Sequence, residues 1–270
     1  MQLPMPKALS LLAAGLFLSL AGRPCLAFTP ASMFTIGEQA ARLAPPDLHR
    51  QLARNRESYR IGLEKAFELA AELRSKNEDG AGKLDAALVE ATEMAITAVR
   101  NHRPFNEISY RMGVVVHLTA MANWPLATSA KDRDEGRFAA DFGRYAESAE
   151  PRLRLVFYGF RQTSAKTEPR QLKAIFDDAL ARSRRAYPLV GLEYRRIGFG
   201  SGVTQFDDRC TAYAIAALAY SHAVSDSAEV LRYIWLAAGG GDSRSWLPLR
   251  GQQLVQLDRI PPRSATASSR

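Results

Sequence analysis

Sulfur and imidazole are scarce in this sequence, with two cysteines and four histidines among 270 residues. Two cysteines exclude a disulfide scaffold and any cysteine-rich metal site. Internal repeats are absent, period-two alternation is scarce, and no Gly-x-Ser-x-Gly or comparable nucleophile signature stands out. Apolar residues, at 47%, suffice for a sizeable core, and the 24% charged fraction is not that of a disordered tail. The charge balance is basic, 36 Lys+Arg against 28 Asp+Glu. This modest, dispersed excess suits an anionic ligand without marking a nucleic-acid binder.

The first 27 residues read as an export signal. Lys7 precedes an apolar run from Ala8 to Ala21 that is too short for a comfortable membrane span. Cys25-Leu26-Ala27 places small residues where a signal peptidase needs them, so cleavage is expected after Ala27. The mature chain would begin at Phe28, in the periplasm or outside the cell, with no transmembrane segment left and Cys210 as its one thiol. Two alternatives remain: a lipoprotein at Cys25, disfavoured by Pro24, and a retained N-terminal anchor.

Helical periodicity dominates the rest. It predicts an amphipathic stretch over 34–43, a helix opened by Asp47 as N-cap, and helices over 56–77 (Tyr59, Leu63, Phe67, Ala70, Leu73) and 83–101 (Leu84, Leu88, Met94, Val99). A loop at 77–82 separates the last two. Pro104 opens the next helix, which runs to Asn123; a charged loop at 128–137 leads to a helix over 138–148. A basic helix is expected over 169–186. A single long one is expected over 206–238, its N-terminus favoured by Asp207 and Asp208 and its end set by Gly239-Gly240-Gly241. His222, Asp226, Glu229 and Arg232 interrupt the apolar run of that last helix and argue against a membrane span. The fold class is all-α: one multi-helix domain over 28–258, followed by a Pro-, Ser- and Thr-rich tail over 259–270 expected to be disordered.

The most informative stretch runs Tyr110-Arg-Met-Gly-Val-Val-Val-His117-Leu-Thr-Ala-Met121-Ala-Asn-Trp124-Pro125-Leu126-Ala127. It resembles the central motif of the zinc-dependent phospholipase C and single-strand nuclease superfamily, in which an apolar helix carries His, then Asp four residues on, then Pro-Leu-His. Four residues bring two ligands onto one helix face, and a Pro-Leu turn returns a second imidazole to the same metals. Weaker similarities are spread over most of the mature chain: Ile36 to Ala41, His102 to Phe105, Arg137 to Phe142, Leu153 to Gly159, and Trp235 to Gly239. The resemblance implies a multi-helix phosphodiesterase fold, with His117 and the terminal amine and carbonyl of Phe28 as remnants of the zinc set. Met121 stands where the family has a bridging Asp, and Ala127 and Met33 stand where it has His.

One imidazole and one amine cannot hold two or three zinc ions. The expected function is therefore that of a pseudoenzyme, with no cofactor and a binding or scaffolding role. One alternative is an active metal-dependent phosphoesterase, cleaving phospholipid or nucleic acid, with ligands remodelled from Asp141, Glu135 or Asp132 beside His117. The other is a structural helical bundle. His117, on an apolar helix, reads first as a hydrogen-bonded core histidine. The Gly198–Gly202 loop reads as a turn rather than an anion nest, Arg182 to Arg185 as a solvated face, and Trp124 and Tyr110 as packing residues. His49 and His222 are assigned nothing.

Overall fold

The computed structural model describes residues 28–75, 82–128, 132–161, 168–241 and 248–258, without the side chains of 67–75, 82–83 and 128. The expected export signal over 1–27 and the expected tail over 259–270 lie outside these residues. So do most of the 77–82 loop, part of the 128–137 loop, and the side chains of Phe67, Ala70 and Leu73.

The described residues form α1 (Pro30–Leu43), α2 (Pro46–Arg54), α3 (Arg56–Ser75), α4 (Gly82–Arg100), α5 (Phe105–Ala122), α6 (Glu135–Ala149), α7 (Pro169–Ile197), α8 (Gly202–Gln205) and α9 (Thr211–Ala237). Two short strands, β1 (Val156–Phe157) and β2 (Val255–Gln256), pair antiparallel. The architecture is mostly helical. None of the described helices is long and apolar enough to cross a membrane.

Local chemistry accounts for most of the boundaries. Thr29 caps α1, its hydroxyl accepting from the Ser32 N–H, with Pro30 at the first helical position. Pro45 rather than Asp47 is the N-cap of α2, and Asp47 falls in the first turn. The basic helix continues well beyond 186, through Pro188 to Ile197, because Val190, Gly191 and Tyr194 are buried beyond the proline. The expected 206–238 helix begins only at Thr211. Asp207 spends its carboxylate on the Arg209 N–H in a turn, and Cys210, extended, caps α9 by accepting from the Tyr213 N–H. Met94 and Tyr110, read as inward-facing, are exposed at 44% and 38%.

α5 is central, packing on α3, α4, α9 and α1 with most of its surface buried. Its crossing with α3 brings backbone against backbone. A Cβ on Gly62 would lie 2.0 Å from the Tyr110 carbonyl oxygen, and one on Gly113 would lie 2.2 Å from that of Tyr59. Only glycine permits that approach.

The segment around β1 docks on α9 through side chains. Ser221, Ser225 and Glu229, four residues apart, accept in turn from the backbone N–H groups of Val156 (3.1 Å), Tyr158 (3.1 Å) and Arg161 (2.9 Å). Four helical residues rise about 6 Å and two strand residues about 6.6 Å, so the first two bonds stay nearly in step, and the third is reached three residues on, past the end of β1. On its other side β1 carries the 248–258 segment. A bridge between Phe160 and Leu249 brings Arg250 back over α9 from near the end of the chain.

Candidate functional site

Phe28, Met33, Met121 and Ala127 all belong to the hydrophobic core. The Phe28 ring packs 4.7 Å from both Trp124 and Tyr220, and Trp124 continues the cluster to Phe142 at 5.1 Å. Met121 and Ala127 join it through the turn that follows α5. The Trp124 N–H bonds the Met121 carbonyl, and the Ala127 N–H bonds that of Trp124. Met33 closes the first turn of α1 on Thr29. Ser32, from that same turn, accepts from Tyr220 Oη and donates to Glu150 at 2.9 Å, which fixes where the chain enters the core. Phe28, Met121 and Ala127 therefore share one aromatic and aliphatic neighbourhood, and Met33 enters the core one turn after Phe28.

His117, one turn before Met121, is 0% exposed, and its Nδ1–H donates to the Leu63 carbonyl across the α3–α5 crossing at 2.7 Å. Burial lowers its pKa to about 4, so the ring is neutral. Two thioethers, a methyl and an imidazole clamped to a carbonyl do not fit a zinc cluster. Among the described residues no three His, Cys, Asp or Glu side chains converge to hold a metal ion.

The acidic groups considered beside His117 have other partners. Asp141, on α6, accepts from Tyr194 Oη (2.8 Å) and from the Gly202 N–H (2.7 Å), so the glycine loop meets a carboxylate of this same chain. Asp132 accepts from Tyr187 Oη at 2.6 Å, which with the Asp134 N–H holds its carboxyl below the usual range. Glu135 opens α6.

The concentrated electrostatics lie elsewhere, on α9. Asp226 (0% exposed) and Glu229 face three arginines from three separate segments. Arg182 of α7 pairs with Asp226, Arg250 reaches Asp226 at 3.0 Å and Glu229 at 3.5 Å, and Arg161 reaches Glu229 at 3.5 Å. Asn123, just past α5, completes the network. Its Nδ2 donates to Asp226 (3.1 Å) and its Oδ1 accepts from Arg182 (3.0 Å). Burial raises the Glu229 carboxyl to about 7 against the pull of Arg250, and burial lowers the Arg182 guanidinium.

This network backs onto a cleft of roughly 270 Å3 between α7 and α9, with Asn123, Arg182, Arg185 and His222 as polar groups and Leu189, Ile215 and Leu218 as apolar walls. His222 stacks on Tyr158 at 4.3 Å, and burial followed by Arg182 lowers its pKa to about 4. Sequence reasoning assigned His222 nothing and took Arg182 for a solvated face. The available signal was the spacing of His222, Asp226 and Glu229, which puts them on one face of α9. That arrangement can hold and orient an anion at the cleft. Comparison with known proteins adds no relative: no family model, curated protein or solved structure matches this chain.

Proposed function

We propose that this chain is an exported binding protein, a pseudoenzyme with a helical architecture similar to the phospholipase C and single-strand nuclease superfamily, in which side-chain packing has replaced zinc chemistry. The observation that carries the reading is the aromatic cluster of Phe28, Trp124 and Tyr220 in the core that also holds Met33, Met121 and Ala127. A hydrolytic cluster needs a polar, water-accessible cavity at those positions. Here they contribute to the apolar burial that holds the domain together.

The test begins with the full chain expressed in a host that processes leaders. The secreted product should begin at Phe28, contain sub-stoichiometric zinc, leave a chromogenic phosphodiester intact, and melt at the same temperature with and without a chelator. Stoichiometric zinc accompanied by turnover would overturn the proposal.

A further inference from the structure

The α7–α9 cleft has four properties that packing alone does not require. First, Arg185 at the cleft has no ion-pair partner among the described residues, whereas Arg161, Arg182 and Arg250 behind it are matched by Asp178, Asp226 and Glu229. Second, two buried polar atoms on its lining side chains, Arg182 Nε and His222 Nδ1, have no hydrogen-bond partner among the described residues. Buried polar groups left unmet are costly, so in native proteins they generally have a partner to bond. Third, the Arg182 guanidinium is held from behind by Asp226 and Asn123 before any ligand arrives. Fourth, the walls leading to this cationic end are apolar, and Leu189 and Leu218 are exposed at 44% and 51%.

We infer that the cleft binds a small anionic amphiphile, its oxyanion head on Arg182 and Arg185 and its apolar body along Leu189, Ile215 and Leu218. A guanidinium pair matches the oxygens of a carboxylate or a phosphate, and a preorganised one loses little entropy on binding. A bare anion would leave the leucines in water, and a neutral chain would leave the arginine donors unmet, so the two halves of the site select one class together. His222, a neutral imidazole against Tyr158, adds a hydrogen bond beside the head without adding charge. The inference rests on the binding-protein reading and gives it a ligand class. The zinc and phosphodiester measurements above bear on that reading alone, and the titrations below on the cleft alone.

The experiment is calorimetric titration of the purified full-length secreted protein with decanoate, decyl phosphate, decanol and inorganic phosphate, each below its micelle concentration. One-site binding of decanoate or decyl phosphate is expected, at least roughly tenfold tighter than decanol or inorganic phosphate. Whichever of the two amphiphiles binds more tightly identifies the head group as carboxylate or phosphate. Arg185→Gln and Leu218→Asp, both at exposed positions, should each weaken binding by roughly tenfold while leaving the melting temperature unchanged. Four results overturn the inference: decanol binding as tightly as the anions, inorganic phosphate binding as tightly as decyl phosphate, unchanged affinity in both variants, or no binding by any probe.

Discussion

His117 Nδ1 lies 2.7 Å from the carbonyl oxygen of Leu63, 54 residues earlier in the chain. The bond joins α5 to α3 one turn beyond Gly113, where the two backbones approach too closely for any side chain but hydrogen. The histidine that most resembles a metal ligand in the sequence thus serves as a clamp between helices.

The clamp makes stability depend on pH. The folded state keeps His117 neutral down to about 4, whereas an unfolded histidine takes up its proton near pH 6.5. Between these values the unfolded chain binds more protons, so stability is complete above pH 6.5 and falls on acidification, by about 3 kcal/mol over the full range. His222 acts in the same direction. Glu229, raised to about 7, opposes both by losing stability as pH rises from about 4.5. In urea titrations His117→Asn should be less stable than the parent at pH 7, and the gap should shrink by pH 4.5. A constant gap would mean that His117 is not buried neutral.

Asp226 is the anion on which Arg182 and Arg250 converge. Asp226→Asn would remove the carboxylate that Arg182 pairs with and leave Arg250 only its longer contact to Glu229, and should cost about 3–5 kcal/mol in urea unfolding. Adding Arg182→Met should recover part of that loss, since one of the stranded charges is then gone.

The helix crossing provides a steric test. Gly113→Ala sets a methyl group against the Tyr59 carbonyl and should cost about 3 kcal/mol as α3 and α5 separate. Gly136, on α6, has nothing within 4 Å of its would-be Cβ. Gly136→Ala should therefore be neutral or stabilise by up to about 1 kcal/mol. Thermal melts of the two variants should move in opposite directions or differ several-fold in size.

Ser225 satisfies the Tyr158 N–H at 3.1 Å, in the middle of the α9 ladder. Ser225→Ala removes that acceptor and should cost about 1–2 kcal/mol, with faster amide exchange at Tyr158 than at Val156, which keeps Ser221. Equal acceleration at both amides would show the segment lifting as a unit rather than losing one bond.

Much of the fold was legible because helices announce themselves locally. The apolar spacing of α5, the proline at 104, and the three glycines after α9 act within a turn or two, whereas Pro30, which opens α1 four residues before the expected start at Phe34, was passed over. The misread boundaries are those where a local competitor or a distant contact wins. Asp207 prefers a turn to a helical N-terminus, and burial carries α7 past Pro188. The candidate site was half visible. Positions 222, 226 and 229 share a face of α9 by simple periodicity, but Arg161 and Arg250 reach it only through the strand pairing and the Phe160–Leu249 bridge.

The sequence by itself determined helical class, most element boundaries, and that positions 33, 121 and 127 carry no carboxylate or imidazole, because these depend on residue type and short-range spacing. Tertiary structure alone decided that Phe28, Met121 and Ala127 share one packed cluster, that His117 bonds a carbonyl, and that three arginines from distant segments gather on two acids. Those pairings span tens to over a hundred residues. Their energies arise from burial and from charge held out of water, which no local pattern of residues encodes.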